Sequence, residues 1–292
     1  MNETKGIPLT TVNPASCCGD DCCGGTPGHE SIAEGADPRA MVRDRYGKIA
    51  SGESCGCGCG CGAPIDAEAV LAQLGYTAEQ AAAIPDGANL GLGCGNPVAL
   101  AGLAPGETVL DLGSGAGIDC FLAAREVGPT GRVIGVDMTP AMLERARATA
   151  GRVGAANVEF RLGEIEHLPV ADASVDAVVS NCVVNLSPDK VRVFREAHRV
   201  LRPGGRMLVS DLVLVRPLAE ALRRDVALYV GCVAGALPKQ EYLDAIAEAG
   251  FGGIEVVAES GYDVGTGALA ADSPEREAFR SVVSVKVRAI KA

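Results

Sequence analysis

The chain has 292 residues, of which 48% are hydrophobic, and a net charge of −11. This length suits one large α/β domain or two smaller ones, and the acidic charge argues against nucleic acid or an anionic membrane as partner. The longest apolar runs, such as Met207–Val215, are too short to span a bilayer. Because Met1–Thr10 also lacks an apolar signal region, we expect a soluble cytoplasmic protein.

Twelve cysteines are unusual for such a protein. Disulfide scaffolds are typical of small secreted chains, and this chain is neither small nor recognisably secreted. The cysteines form one group at Cys17, Cys18, Cys22 and Cys23, a second at Cys55, Cys57, Cys59 and Cys61, and single residues at Cys94, Cys120, Cys182 and Cys232. In a reducing compartment this density indicates metal, metalloid or redox chemistry.

Residues 1–62 form a Cys-rich segment that we expect to be largely flexible. The first 38 residues lack hydrophobic periodicity, and their cysteines either bind a soft metal ion or belong to a tail without fixed structure. A short helix is predicted over Arg39–Ala50. The alternating Cys-Gly run that follows forms a loop, with sulfurs on one edge if the chain is extended. A passive linker, metalloid capture and a stable metal site all remain open for this run.

No structural metal is predicted, since the C-x-x-C pairs of zinc ribbons are missing. After the Cys-Gly run, Pro64 begins a helix that reaches Leu74, and Thr77-x-x-Gln80 is a capping box for the next helix. These short helices begin the second part of the chain, residues 63–292.

From residue 108 onward, predicted strands alternate with predicted helices. Strands are expected at 108–112, 132–136, 157–161, 175–180, 206–213, 254–259 and 282–289, and helices at 117–127, 140–153, 188–200, 218–230 and 239–249. Such alternation predicts an α/β fold, a Rossmann-like doubly wound sheet that is mostly parallel with an antiparallel late strand. An insert after the fifth strand, at about 216–250, is expected to cap the substrate.

The first strand runs into a glycine-rich turn, Val109–Gly117. Glycine at alternate positions allows positive φ and close approach of a ligand to the backbone, and the helix that follows directs its N-terminus at the turn. The spacing is G-x-G-x-G and not the dinucleotide pattern G-x-G-x-x-G. Asp111 ends the strand beside this turn, where a carboxylate suits a cation better than a pyrophosphate.

Acidic residues also end the second and third strands. Asp137 follows the glycine turn by about the interval at which doubly wound folds place the acid that binds ribose hydroxyls. At the end of the third strand, Glu164 and the backbone N–H of Ile165 are expected to recognise the edge of an adenine. A nucleoside that carries a positive charge and no phosphate fits this description, and S-adenosylmethionine is such a molecule.

Five segments resemble the successive motifs of class I S-adenosylmethionine-dependent methyltransferases. They are Val109–Gly117, Asp137-Met138, Gly163–Pro169, Asp176–Asn181 and Leu201–Gly205. The resemblance implies that the methyl donor is bound by Asp111, Gly113, Ser114, Gly115, Gly117, Asp137, Met138, Glu164, Ile165 and Asn181. Within this set, Asp111 and the glycine turn surround the amino acid part, Asp137 holds the ribose and Met138 packs on the adenine.

Three cysteine motifs narrow the resemblance to the arsenite methyltransferases. The motifs are Asn89–Pro97, Ser180–Leu186 and Gly231–Leu237, and the Tyr46-Gly47 region is similar as well. This resemblance implies that Cys182 and Cys232 bind arsenic and that Cys94 is either a third ligand or the disulfide partner of an N-terminal cysteine. Here the chain departs from the family pattern, because four candidates, Cys55, Cys57, Cys59 and Cys61, stand where one is expected.

The implied reaction needs little from the protein beyond positioning. Thiolates suit a soft metalloid, and As(III) held by two or three of them keeps a lone pair that attacks the sulfonium methyl group in line. No general base is required, so His29, His167 and His198 are expected to be structural or to lie in the tail. The substrate is arsenite or its glutathione conjugate. Because methyl transfer oxidises arsenic, thiol–disulfide exchange with thioredoxin or glutathione is expected to reset the enzyme.

Two alternatives remain. A C- or O-methyltransferase of the quinone or sterol type shares the cofactor motifs but has no reason to place cysteines at 94, 182 and 232. A thiol-rich metalloid-binding protein needs the cysteines but not an intact glycine turn with Asp111 and Asp137. Cys120 falls on the apolar face of the first helix of the fold, where a cysteine is expected to be a small buried hydrophobe.

Overall fold

The computed structural model describes residues 31–33, 35–52, 67–262 and 272–292. Within them lies a seven-stranded sheet of order β3-β2-β1-β4-β5-β7-β6. The strands are β1 Thr108–Leu112, β2 Arg132–Asp137, β3 Val158–Leu162, β4 Val175–Asn181, β5 Leu201–Leu214, β6 Gly252–Gly261 and β7 Val282–Ile290. Only β7 runs against its neighbours β5 and β6 among these strands. The mostly parallel α/β sheet with an antiparallel late strand is therefore confirmed.

Ten α-helices accompany the sheet in the described part of the chain. They are α1 Pro38–Ser51, α2 Ala67–Gln73, α3 Ala78–Ala83, α4 Ile118–Val127, α5 Pro140–Val153, α6 Lys190–Val200, α7 Glu220–Arg223, α8 Val226–Val230, α9 Lys239–Glu248 and α10 Pro274–Phe279. The capping box of α3 is present, with Thr77 and Gln80 each bonded to the other's backbone. None of these helices has the length and apolar character needed to cross a bilayer.

Two hydrophobic layers cover the two faces of the sheet. On one face α4 packs with α2 against β1 and β2, and Cys120, Leu122 and Val127 are buried there. On the other face α6 and α9 pack against β4, β5 and β7 through Phe194 and Tyr242, whose rings meet edge to face. Strands buried on both faces have continuous apolar sequences, which is why β1, β2 and β4 were recognisable from sequence.

The carboxyl ends of β1 and β4 meet at the point where the strand order reverses. From β1 the chain moves outward through β2 and β3, and then returns to β4 on the other side of β1. Open α/β sheets bind their ligands in the crevice that such a reversal creates. The glycine turn after β1 and the Cys182 segment after β4 therefore lie at the same edge.

The region after β5 differs from the prediction in its helices. The single helix expected over 218–230 is wrong: α7 ends at Arg223 and α8 begins anew, because Asp225 is extended and its side chain accepts the Leu228 N–H as an N-cap. The helix α9 packs into the main core through Tyr242 and Ile246. The capping of substrate by an insert at about 216–250 stays a prediction, and none of these residues lines the cleft described below.

Several predictions fall on residues that the structure does not describe. The cysteine groups 17–23 and 55–61 and the helix start at Pro64 lie outside the described residues.

Candidate active site

The glycine turn after β1 has a geometry that side chains would obstruct. Gly113, Gly115 and Gly117 have φ of +64°, +51° and +95°. A Cβ on Gly113 would lie 2.3 Å from Val183 Cγ2, and one on Gly117 would lie 2.8 Å from Phe160 Cζ. Gly113, Ser114 and Gly115 line a cleft at the edge of the sheet. Gly117 lies outside the cleft lining, where it caps the N-terminus of α4.

Three carboxyl groups also line the cleft: Asp111 and Asp119 are buried, and Asp137 is half-buried. Burial raises the pKa of Asp111 well above its ordinary value, and the neighbouring Asp119 raises it further. Burial likewise raises the pKa of Asp119 to about 6, although hydrogen bonds from Asn181 and Tyr76 oppose the rise. Burial is also the main cause that raises the pKa of Asp137.

This set of acids fits a cationic ligand. Among the described residues no lysine or arginine forms an ion pair with Asp111 or Asp137, and Ser114 Oγ is buried without a hydrogen-bond partner. A cation bound here would stabilise the ionised carboxylates that burial disfavours. Asp137 accepts the N–H of Gly115 at 2.9 Å and that of Thr139 at 2.8 Å, so its carboxylate is held at the end of β2. A methyl donor with an ammonium and a sulfonium group matches this arrangement.

At the end of the cleft formed by the residues after β3, the acidic residue that lines the cleft is not the one expected from the sequence. Met138 and Ile165 line the cleft as expected, but Glu164 does not. Its carboxylate accepts from Arg39 at 2.8 Å and from Arg43 at 3.2 Å. Glu166 lines the cleft instead: it is 4% exposed, and its Oε1 accepts the Ser187 hydroxyl at 2.5 Å.

Helix α1 covers the cleft, which sequence reasoning did not foresee. Its residues Arg39, Val42 and Tyr46 contribute to the cleft lining. Asp37 caps the helix by accepting the Arg39 N–H, and the Tyr46 hydroxyl donates to the Val230 carbonyl at 3.2 Å. Because the Tyr46–Val230 contact joins residues far apart in the chain, the local sequence of α1 did not reveal it.

Cys94, Cys182 and Cys232 come together at the same edge of the sheet. The Cys94 and Cys182 sulfurs and a carboxylate oxygen of Asp211 all lie within 4.8 Å of one another. Cys232 Sγ donates to the Cys182 carbonyl at 3.0 Å, and Cys94 Sγ donates to the Ser210 carbonyl at 3.3 Å. Cys182 also lines the cleft, whereas the other two cysteines lie behind it. The three residues predicted to hold arsenic thus form one thiol cluster beside the cofactor cleft.

Two of these cysteines have strained backbones. Cys182 has φ +58° and Cys232 has φ +64°, whereas non-glycine residues rarely adopt positive φ. Strain of this kind persists where the surrounding structure imposes it, and it concentrates at functional sites. Hydrogen bonding with Cys232 and Cys94, together with burial, raises the pKa of Cys182 well above its ordinary value, and burial raises that of Cys94. The thiol form is therefore favoured in the absence of a ligand.

Cys120 is fully buried, as expected for a small apolar residue. Its thiol also donates to Asp111 Oδ2 at 3.2 Å, and this contact was not foreseen. Cys120 is therefore a hydrogen-bond donor to the cofactor cleft and lies apart from the thiol cluster.

Asn181 completes the junction between the cleft and the thiol cluster. It lines the cleft, as predicted, and its amide oxygen accepts the Cys94 N–H at 3.0 Å. On the other side of Cys182, the Asn185 amide donates to the Cys232 carbonyl at 3.2 Å. The two asparagines of the Asn-Cys-Val-Val-Asn segment therefore hold the two distant cysteine loops.

Comparison with known proteins agrees with this architecture. Residues 103–250 match the family described as a methyltransferase domain. An arsenite methyltransferase of Halobacterium salinarum is 49% identical over 90% of this chain and 70% of its own length. One from Aquipseudomonas alcaligenes is 45% identical over 61% of this chain and 53% of its own length.

A solved structure extends the similarity to the fold. CrArsM, an arsenic(III) S-adenosylmethionine methyltransferase from Chlamydomonas reinhardtii, is 36% identical with a TM-score of 0.58. The alignment covers 78% of this chain and 74% of the algal chain. The cleft and the fold are those of an S-adenosylmethionine-dependent methyltransferase. Within that class, the chain belongs to the arsenite methyltransferase family.

Proposed function

We propose that the protein transfers methyl groups from S-adenosylmethionine to thiol-bound As(III). The observation that carries this proposal is the position of the thiol cluster. Cys182 lines the cofactor cleft and lies beside Cys94 and Cys232, so a metalloid on these sulfurs is adjacent to the bound donor. Soft thiolate ligands suit a soft metalloid.

The residues of the chain supply binding and position. When bound in the cleft, S-adenosylmethionine supplies an electrophilic methyl group on a cationic sulfur. Asp111 and the glycine turn hold the amino acid part, Asp137 holds the ribose, and Met138 and Ile165 contact the base. The thiol cluster holds As(III) with its lone pair directed at the methyl group, and proximity replaces general-base chemistry.

Thiol exchange explains how the substrate enters and the product leaves. Arsenite, or its glutathione conjugate, exchanges its hydroxyl or thiolate ligands for protein sulfurs, so the displaced group leaves with the thiol proton. Methyl transfer raises arsenic formally from the trivalent to the pentavalent state. Oxidation of two thiols to a disulfide returns it to the trivalent state, and glutathione or thioredoxin then reduces the disulfide.

The alternatives account for fewer of the observations. A quinone- or sterol-type methyltransferase would not need three buried cysteines at the methyl end of the cleft. A metalloid-storage protein would not need the buried acids and glycine turn that fit the methyl donor.

The decisive experiment incubates the purified protein with arsenite, glutathione and S-adenosylmethionine and separates the arsenicals by chromatography. Methylated arsenicals are expected, and their absence would refute the proposal.

The two strained cysteines give a sharper test. We expect Cys182→Ser and Cys232→Ser each to lower methylation at least 100-fold, because a hydroxyl is a poor ligand for a soft metalloid. Binding of S-adenosylhomocysteine, measured by calorimetry, should stay within about threefold of wild type, since the acids and the glycine turn are unchanged. Substantial turnover in either variant would show that the cysteine is not an arsenic ligand.

A further inference from the structure

We propose that Tyr76 is a positioning residue that orients the Asn181 amide and thereby holds Cys94 beside the cofactor cleft. The inference deepens the proposed function, on which its catalytic meaning rests. Tyr76 lies between α2 and α3, belongs to none of the cofactor or cysteine motifs and does not line the cleft. It is nevertheless buried, at 6% exposure, with its hydroxyl directed at the junction of cleft and thiol cluster.

Both the Nδ2 and the Oδ1 atom of the Asn181 side chain form hydrogen bonds. Its Nδ2 lies 2.8 Å from the Gly95 carbonyl, 3.0 Å from Asp119 Oδ2 and 3.1 Å from the Tyr76 hydroxyl. Its Oδ1 accepts the Cys94 N–H at 3.0 Å. A flipped amide would place an N–H group against the Cys94 N–H, so the orientation of this amide decides whether Cys94 is held.

Tyr76 fixes that orientation through a closed set of hydrogen bonds. Its hydroxyl donates to Asp119 Oδ1 at 2.9 Å, which leaves its oxygen lone pairs to accept from Asn181 Nδ2. The two hydrogens of Asn181 Nδ2 are shared among the Gly95 carbonyl, Asp119 Oδ2 and the Tyr76 oxygen. Tyr76 therefore supports the amide in two ways, as one of its acceptors and as the donor that holds Asp119, and a buried polar group that loses such a partner costs free energy.

The loop that carries Cys94 depends on this support. Gly91 and Gly93 have φ of +68° and +121°, and a Cβ on Gly93 would lie 3.1 Å from the Asn181 amide. The loop therefore packs directly on Asn181. Two further contacts hold Cys94: the Ser284 hydroxyl donates to its carbonyl at 2.7 Å, and its thiol donates to the Ser210 carbonyl at 3.3 Å. Cys94 is thus held by β7 at its carbonyl, by β5 at its sulfur, and at its N–H by the amide that Tyr76 orients.

The same bonds connect the cleft with the backbone of Cys94. Asp119 and Asn181 line the cleft, whereas Cys94 does not. The bonds Tyr76–Asp119–Asn181–Cys94 therefore run from the cleft lining to the backbone N–H of a residue of the thiol cluster. Through them, the position of Cys94 depends on a residue that touches neither the donor nor the metalloid.

Thiol reactivity in the Tyr76→Phe variant tests the inference. Phenylalanine keeps the buried ring and removes only the hydroxyl. Each protein is pulsed with iodoacetamide, and the alkylation rates of Cys94, Cys182 and Cys232 are measured by peptide mass spectrometry. We expect the Cys94 rate to rise about tenfold relative to that of Cys182, because one buried hydrogen bond is lost at Asn181. A rate ratio equal to that of wild type would overturn the proposal.

Thr77→Ala is the matched control. Thr77 is the next residue in the chain and caps α3, so its loss destabilises the same region without touching Asn181 or Asp119. The ratio of Cys94 to Cys182 reactivity should stay at the wild-type value in this variant. If Thr77→Ala raises the ratio as much as Tyr76→Phe, loosening of the region explains the effect and the positioning role is refuted.

A kinetic measurement adds the link to catalysis. In Tyr76→Phe the KM for arsenite should rise about tenfold while binding of S-adenosylhomocysteine changes by less than about threefold. The alkylation experiment needs neither arsenite nor methyl donor. A wild-type protein that forms no methylated arsenicals would therefore refute the proposed function, and the thiol ratios would still decide the role of Tyr76.

Discussion

Two acidic residues after β3 have different partners, although only one residue separates them. Glu164 is bound by arginines of α1, whereas Glu166 lies in the cleft with one oxygen bonded to Ser187. Within the described residues Glu166 Oε2 makes no hydrogen bond. The oxygen is therefore available to an amino group on the nucleoside base, which is the role that sequence reasoning gave to Glu164.

Isosteric substitutions separate the two acids. We expect Glu166→Gln to weaken S-adenosylhomocysteine binding about tenfold, because a hydrogen bond to a charged acceptor becomes a neutral one. Glu164→Gln makes the same chemical change two residues away and should weaken binding less than threefold, since surface ion pairs contribute little. Calorimetry measures both affinities. A larger loss in Glu164→Gln would restore the original assignment.

For single residues, the sequence predicts those site positions that belong to a continuous motif. The glycine turn, Asp111, Asp137 and Met138 were identified because a strand, a turn and an acid at a fixed interval form a continuous signature. The positions of Glu166 and Asp119 in the cleft lining were missed, because they depend on contacts with Ser187, Tyr76 and Asn181 that come from elsewhere in the chain. Nothing near Glu164 in the sequence indicates that two arginines of α1 will bind it.

Helix α1 and the residues ahead of it join the cleft to the segment after β5. Several residues before the helix, Ser31 pairs with Asp225 and the Ile32 N–H donates to the Arg224 carbonyl at 2.8 Å. Val42 is buried beside the cysteines, and the Arg145 side chain donates to the Ala50 carbonyl. The segment from Ser31 to Gly52 therefore crosses both the thiol cluster and the cofactor cleft.

Two deletions test the boundary of this element. Removal of residues 1–30 keeps the Ser31, Ile32 and Asp37 contacts and should lower the apparent arsenite affinity modestly at most. Removal of residues 1–38 also deletes the Asp37 cap and the Ser31 and Ile32 pairing, and should lower the melting temperature by about 3–6 °C. Activity assays and thermal melts compare the two. Complete loss of turnover on removing residues 1–30 would show that the tail itself is catalytic.

The positions of helices and strands were predictable where the hydrophobic periodicity continued over a long segment of sequence. The strands β1 to β5 and the helices α4 to α6 appear near their predicted positions. The prediction failed over 218–230, where helix-forming residues continue across Asp225. The acid ends one helix and caps the next, and the sequence does not show which of these roles prevails because capping depends on the extended backbone at that residue.

At the scale of the whole molecule, buried acids link stability to pH. The pKa of Asp119 is about 6 in the folded chain against 3.8 for an ordinary aspartate. Because folding raises this pKa, the stabilisation is complete below pH 3.8 and is lost as the pH rises through 6. A rise of roughly two units corresponds to about 3 kcal/mol of unfolding free energy.

We therefore expect the ligand-free protein to melt at a higher temperature at pH 5.5 than at pH 8. A ligand with a positive charge offsets the cost of the ionised acids, so S-adenosylmethionine, which carries an ammonium and a sulfonium group, should raise the melting temperature more at pH 8 than at pH 5.5. Differential scanning calorimetry at the two pH values measures both effects. Equal ligand-induced shifts would mean that these carboxyl groups do not respond to the ligand's charge.

The family and the doubly wound fold were both predictable from sequence, because alternating elements and cysteine motifs are each continuous in the chain. The convergence of the three cysteines on one site was expected only by resemblance. Its physical basis is non-local, since Asn181 and Asn185 each hold a loop that lies about 50 or more residues away in the chain.

The position of β7 has a consequence for the order in which the protein is assembled during synthesis. This strand lies between β5 and β6, and its Ser284 holds the Cys94 carbonyl. Because chains emerge from the ribosome N-terminus first, Cys94, Cys182 and Cys232 are all made before the strand that completes their surroundings. A growing chain therefore carries all three thiols before it has the strand that holds Cys94 at the edge of the sheet.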